Sequence, residues 1–205
     1  MRIAVPRGAL FKQTLDLLDG LDIDTSEVRA NDRKLLFEDA GLITMRPSDV
    51  PTYVEAGAAD LGITGKDVLA EQGGRGVYEL HDLGFGPCTM VFATTAGEDP
   101  AAEALRRLGH MRIATKYSRI AARYFEQTGR QAEIVEVKGS VELAPLTGLV
   151  EGIVDLTATG TTLRENGLVI REEISRATAR LIANPVSYRV KAAEIDAVLE
   201  RLRAG

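Results

Sequence analysis

The sequence predicts an α/β protein built in two lobes, with mixed, mostly parallel sheets and a cleft between the lobes. Short apolar runs of β type alternate with segments of helical period from end to end, the pattern of strands joined by helical crossovers. Composition breaks at Gly84-Phe85-Gly86-Pro87 and Asn184-Pro185 interrupt that alternation and suggest two lobes. The 205 residues, 45% hydrophobic and 27% charged, are enough for one large or two small cores. A chain that crosses at 88–95 and returns near 167–177 gives lobe I from residues 1–87 and 177–205, and lobe II from 88–176. In such a protein a cleft lined by strand C-termini and helix N-termini is a usual place for a ligand.

Each element has its own signal. Residues 2–6 read as the first strand. Phe11, Leu15 and Leu18 recur at i, i+4 and i+7, as one face of a helix does. The short apolar run 42–46 is followed by Asp49-Val50-Pro51, which places Asp49 as an N-cap and the proline in the first turn. Residues 61–64 read as a buried strand and 66–72 as a helix. The run 88–95 is a long strand with Cys88 inside it, read as core. Stretches 112–115, 118–127, 133–137, 141–150, 154–158 and 162–166 continue the alternation. Residues 191–203 form the cleanest helix, with Ile195, Val198, Leu199 and Leu202 in one stripe and charges opposite.

Bulk properties remove several function classes. The net charge is −5 with acidic and basic residues well mixed, so the chain lacks the basic face of a nucleic-acid or anionic-membrane binder. A local basic pocket for a small phosphorylated ligand stays compatible with that balance. The single Cys88 allows neither an intramolecular disulfide framework nor a thiolate metal cage. His81 and His110 lie far apart with no partner at ligand spacing, so no metal is expected on protein side chains. The N-terminus shows no leader pattern and no apolar run approaches the ~18 residues of a membrane span, so a cytoplasmic protein is expected.

The most informative segment is EGIVDLTATGTTL, starting at Glu151. An apolar strand containing Ile153 and Val154 ends in Asp155, and Thr157, Thr159, Gly160, Thr161 and Thr162 follow before a helix. Gly160 can take a positive φ, and successive N–H groups in such a turn form an anion nest. The threonine hydroxyls and the helix N-terminus add further donors. This combination holds a monophosphate without a lysine, and Asp155 then sits where a ribose diol would lie. The competing reading is a threonine-rich turn that only caps a helix.

The segment resembles the signature of ATP phosphoribosyltransferases: an acid, a spacer, Gly, an apolar residue, Asp, then Thr-Gly-x-Thr-Leu. More distantly it resembles the phosphoribosyl-pyrophosphate (PRPP) loop of other phosphoribosyltransferases. Further matches run along nearly the whole chain. They include Pro6-Arg7-Gly8, Asn31-Asp32-Arg33, the run from Arg46 to Pro51, the run from Ala59 to Asp67, Ala114-Thr115-Lys116-Tyr117, and Gly139-Ser140-Val141-Glu142-Leu143-Ala144-Pro145. One departure stands out. Family members often read Lys-Gly-Arg-Leu after the first strand, whereas this chain reads Arg7-Gly8-Ala9-Leu10 and lacks the second cation.

The resemblance implies a two-lobed fold like that of type II periplasmic binding proteins. It also implies a reaction joining N1 of the ATP adenine to C1′ of PRPP with release of pyrophosphate, the first step of histidine biosynthesis, with Mg²⁺ carried on the substrate phosphates. By resemblance Arg46 and Arg33 face the cleft from lobe I as catalytic cations, since guanidinium stays charged and grips phosphate oxygens bidentately. Asp155, Thr157, Thr159, Gly160, Thr161 and Thr162 are the expected PRPP contacts. Arg7, Lys66, Lys116, Tyr117 and Glu142 are candidate nucleotide or ribose contacts, each also readable as structural. Glu142, for example, either accepts from a ribose hydroxyl or serves a helix dipole.

Other readings share the architecture. A small-ligand binding module of the periplasmic type would carry a leader, and an effector domain of a transcription regulator would carry a helix-turn-helix. A salvage phosphoribosyltransferase would show two adjacent acids where this chain has Val154-Asp155. The sequence ends just after the 191–203 helix, so the resemblance is to the short form of the family. That form implies a separate regulatory subunit resembling histidyl-tRNA synthetase, and a homodimer when alone.

Overall fold

A computed structural model describes residues 1–31 and 33–204. Asp32, part of one matched motif, lies outside the described residues. The chain divides into two compact units, residues 1–86 with 178–205 and residues 87–177. Pro87 and Ala177 thus fall in the second unit, because Cys88 and Ala177 close its first strand pair.

The first unit begins with β1 (Ile3–Pro6), α1 (Phe11–Gly20), α2 (Ser26–Ala30), β2 (Leu36–Phe37), β3 (Leu42–Met45), α3 (Val50–Glu55), β4 (Leu61–Gly65), α4 (Lys66–Gln72) and β5 (Tyr78–Asp82). The second unit holds β6 (Cys88–Thr95), α5 (Pro100–Leu108), β7 (Met111–Thr115), α6 (Ser118–Gln127), β8 (Ala132–Glu136), α7 (Leu143–Leu146), β9 (Gly152–Thr157), α8 (Thr161–Glu165) and β10 (Leu168–Ala177). The chain then returns to the first unit with β11 (Ala179–Ala183), α9 (Pro185–Val190) and α10 (Ala192–Ala204).

The first sheet runs β2-β3-β1-β4-β11-β5 and the second β10-β6-β9-β7-β8. Both are mixed. β1 is parallel to β3 and β4, and β7 is parallel to β8 and β9, each joined through helices. The antiparallel pairs come from strands the helix alternation does not announce: β2 beside β3, β11 between β4 and β5, and β6 between β9 and β10.

Each sheet is buried on both faces, which explains why its inner strands read as continuous apolar runs. In the first unit Ile3, Val5, Leu61 and Ile63 pack with Leu15 and Leu18 of α1 and with Ile195 and Leu199 of α10. Ala4, Ile43 and Ile182 point the other way onto Val50 and Val54 of α3. The terminal stripe therefore closes a core, and each fully buried leucine of that kind contributes about 1.5–3 kcal/mol. Gly62 lets α3 come close, since a Cβ there would stand 2.6 Å from Val50. In the second unit Met90, Phe92, Ile113 and Val154 pack with Ala121 and Phe125 of α6, and Val91, Ala93 and Ile153 pack against Ala144 and Leu163.

Four local readings change. Asp49 stands at the N-cap position of α3 with Pro51 in the first turn, as expected, but its backbone is right-handed helical and its carboxylate takes the Ser48 hydroxyl, with no side-chain bond to the helix. The 141–150 stretch holds only the short α7, because it contains Pro145 and the chain turns left-handed at Gly148. Cys88, read as core, is only half-buried at the start of β6. The Asn184-Pro185 break lies inside the first unit, where the Asn184 side chain caps α9 by accepting from the N–H groups of Val186 and Ser187.

Candidate functional site

The second unit brings three predicted residues to one end of its sheet. β7 and β9 run parallel with Ile113 opposite Gly152 and Ala114 opposite Ile153. Continued past the end of β7, that register sets Lys116 beside Asp155 of β9. The lysine ammonium lies 3.6 Å from Asp155 Oδ1 and 5.0 Å from the ring centre of Tyr117. The Tyr117 N–H donates to Thr115 Oγ1 at 2.8 Å, which fixes the turn carrying both residues. Asp155 is largely buried and accepts from the Leu156 N–H at 2.8 Å.

Burial pushes the Asp155 carboxyl above the usual aspartate range. Lys116 and the Leu156 N–H oppose that shift, and the charge of nearby Glu142 adds to it. Glu142 is thus close enough to be felt, and it precedes α7 without capping it by its side chain. Ser140, two residues earlier, holds a φ of 35°, an uncommon conformation outside glycine.

The Gly–Thr turn follows directly. Asp155 and Thr157 share a face of β9, as residues two apart do. Gly160 takes φ 71° and leads into α8. Its N–H donates to Thr157 Oγ1 at 2.7 Å, so the turn already uses that donor internally and the Thr157 hydroxyl proton stands in for it. The Thr159 and Thr161 hydroxyl oxygens are 2.9 Å apart. Arg164 donates to Thr159 O and to Thr161 Oγ1, both at 3.0 Å. Thr159, Thr161 and Thr162 are exposed, whereas Gly160 is buried.

Glu151, the first acid of the signature, has a different task. It accepts from the Arg112 N–H at 2.6 Å and from Nη2 at 2.5 Å, clasping the starts of β7 and β9. Burial works against its ionisation, yet the Arg112 bonds outweigh it and hold the carboxyl below the usual range. Sequence reasoning missed Arg112 and Arg164. A basic residue four positions after Gly160 is the one signal that could have found the latter.

The remaining candidates belong to the first unit. Arg46 follows β3, is exposed, and makes no ion pair among the described residues. Its turn is braced by the Thr64 hydroxyl donating to Pro47 O at 2.9 Å and by Gln72 donating to Ser48 O at 2.6 Å. Arg33 is exposed, with its N–H on Asn31 Oδ1 at 3.2 Å. Arg7 is engaged structurally: Nε donates to Thr44 Oγ1 at 2.9 Å and Nη2 to Lys34 O at 2.8 Å. It therefore ties β1 to β3 and to the loop bearing Arg33. Lys66 pairs with Glu79 at 2.5 Å, in a network that continues to Arg180. Among the described residues no group of three or more His, Cys, Asp or Glu is placed to hold a metal ion.

A mixed α/β protein in two units, with a Gly–Thr turn and a Lys–Asp pair at the ends of parallel strands, is the class the fold and site define. The same architecture appears in the periplasmic aliphatic sulphonate binding protein SsuA from Escherichia coli, with a TM-score of 0.60 over 98% of this chain and 70% of that one, and in Tv2483 bound to L-arginine, at 0.63 over 100% and 85%. Identity is 14% in both, which shows the fold alone. Residues 46–204 match the family model HisG: ATP phosphoribosyltransferase. An ATP phosphoribosyltransferase of Rubrobacter xylanophilus is 55% identical, covering 97% of this chain and 93% of the relative, and one of Geobacillus kaustophilus is 45% identical over 100% and 97%. The ATP phosphoribosyl transferase (HisG:HisZ) complex from Thermotoga maritima contains a chain with a TM-score of 0.82 and 34% identity, covering 100% of this chain and 97% of that one. The chain belongs to the ATP phosphoribosyltransferase family. It is a pentosyltransferase of histidine biosynthesis, joining ATP and PRPP with release of pyrophosphate.

Proposed function

We propose that the second unit holds PRPP, with residues 157–162 on its 5′-phosphate and Asp155 on the ribose hydroxyls. The observation that carries this reading is the convergence of the Lys116–Asp155 pair and the left-handed Gly160 turn on one strand end. A buried carboxylate is costly alone, and Lys116 offsets part of that cost, keeping an acceptor available for a vicinal diol. Lys116, Tyr117 and Glu142 then serve the ribose and nucleotide. Arg7 and Lys66, already engaged by Thr44, Lys34 O and Glu79, contribute by shaping the first unit rather than by gripping ligand.

In the reaction the bond from C1′ to the pyrophosphate oxygen breaks and the adenine N1 lone pair forms the new bond to C1′. No general base is needed, since N1 needs no proton removed to attack. Positive charge grows on the ribose ring and negative charge on the leaving group. Arg46 and Arg33 suit stabilisation of the pyrophosphate, because an exposed guanidinium can turn both edges to phosphate oxygens. Magnesium ions carried on the ATP and PRPP phosphates would spread the same charge. Asp155 and Glu151 are each paired with one cation of this unit, Lys116 and Arg112.

The Thermotoga maritima neighbour is a HisG:HisZ complex. We extend that arrangement to this chain: a dimer alone in the cytoplasm, regulated when joined by a subunit resembling histidyl-tRNA synthetase. The direct test of the PRPP assignment is calorimetric titration of PRPP into folded Gly160→Val. The valine would be strained at φ 71°, and even its Cβ would stand 3.1 Å from Arg164 Nη1. Abolished PRPP binding is expected, and unchanged affinity removes residues 157–162 from the site.

A further inference from the structure

The structure assigns to Arg164 a positioning role: it braces the shape of the phosphate turn and covers one of its backbone acceptors, so that the turn meets PRPP with donors. This inference rests on the PRPP assignment above. An arginine only donates, and a threonine hydroxyl has one proton and two lone pairs. Arg164 Nη2 lies 3.0 Å from Thr161 Oγ1, so that oxygen accepts from it. Thr159 Oγ1 lies 2.9 Å away, and whichever of the two hydroxyls donates to the other, the second keeps its proton for an outside acceptor. Thr159 Oγ1 also accepts from the Thr161 N–H at 3.4 Å, so Arg164, Thr161 and Thr159 hold one another in a single network. On the other side of the turn Thr157 Oγ1 accepts from the Gly160 N–H, which likewise leaves its proton to donate.

Without Arg164 the Thr159–Thr161 pair loses the brace that holds its two hydroxyls side by side. Arg164 Nη1 also covers Thr159 O at 3.0 Å, an acceptor that would repel a phosphate dianion. The guanidinium reaches this place because residue 160 has no side chain: a Cβ there would stand 3.1 Å from Nη1 and 3.6 Å from Ile170 Cδ1. Gly160 therefore permits both the left-handed turn and the clamp.

The test compares Arg164→Ala and Arg164→Lys with Gly160→Val, using PRPP and ATP affinities, steady-state kinetics and hydrogen exchange of residues 158–162. Arg164 is exposed on α8, so the fold should survive its truncation. Loss of one charged hydrogen bond network predicts PRPP affinity weakened by roughly tenfold in Arg164→Ala. ATP affinity should not move, KM for PRPP should rise more than kcat falls, and exchange at 158–162 should quicken. Lysine should recover part of the loss, because it donates but cannot fork to two acceptors. Unchanged PRPP affinity in Arg164→Ala, with binding abolished in Gly160→Val, overturns the role of Arg164 and leaves the PRPP assignment standing. Equal losses of PRPP and ATP affinity, or no recovery with lysine, would make Arg164 a general structural residue and overturn it too. Normal PRPP binding by Gly160→Val would remove the assignment and this inference together.

Discussion

At the scale of single residues, the site places an acid where burial opposes its charge. The folded-state pKa of Asp155 is raised, so its contribution to stability is present below the unfolded aspartate pKa and lost as pH rises through the raised value. At neutral pH the ionised carboxylate is a burden on the fold. Asp155→Asn should therefore melt no lower than the wild type at pH 7 while its PRPP affinity falls at least about tenfold, the scale of a lost charged hydrogen bond. Calorimetry on the same sample reads both, and a clearly lower melting temperature would show Asp155 to be a structural anchor. PRPP binding by the wild type should also weaken as pH falls through the raised pKa. Arg46 presents the opposite case, an exposed cation with no ion pair among the described residues. Arg46→Ala should lower kcat by ~10²–10³ with a smaller rise in KM for PRPP, if the contact strengthens as pyrophosphate leaves. A change in KM alone would mean uniform binding, and a change in neither a surface arginine.

At the scale of elements, the placement of Asp155 depends on the pairing of β7 and β9. Parallel strands align their C-terminal ends, and the Ile113–Gly152 register carries Lys116 to Asp155. The Glu151–Arg112 clasp fixes that register from the other end. Its pH sign is opposite to that of Asp155: the Glu151 pKa is lowered, so its stabilisation is present above the unfolded glutamate pKa and lost as pH falls through the lowered value. Glu151→Ala strips the partly buried Arg112 of its carboxylate and should cost about 1–3 kcal/mol by urea unfolding at pH 7. A normal unfolding midpoint would mean that strand packing alone sets the register. The signature acid is thus bonded to β7 through Arg112, a contact invisible in a motif that records spacing only.

At the scale of the whole molecule, two units of similar architecture are made from three stretches of chain, with the last returning to the first unit as β11, α9 and α10. Regulation from outside requires a partner surface of about 800 Å² on this chain for a specific complex. It also requires that the partner bind one conformational state better than another. The purified chain should therefore be insensitive to histidine, and feedback inhibition should appear when the regulatory subunit is added. Initial rates of pyrophosphate release with histidine, with and without that subunit, decide it. Potent inhibition of the chain by itself would remove the need for a partner.

The sequence alone determined the elements whose signal is local. Lys66–Gln72, Cys88–Thr95 and Ser118–Gln127 stand at the predicted bounds, and the Ile195–Leu199 stripe is buried as its period requires. The family was legible as well, because a Gly between threonines after an apolar strand and an acid is a contiguous pattern. What depends on residues distant in the chain was not legible. The antiparallel placement of β11 between β4 and β5 joins segments about a hundred residues apart and carries no crossover helix to announce it. Only the tertiary structure separated Glu151, spent on Arg112, from Asp155, held by Lys116, and only it showed Arg7 and Lys66 already engaged. The physical reason is that a charged side chain's role is set by burial and by the partner within reach. Both come from chain folding rather than from neighbours in sequence.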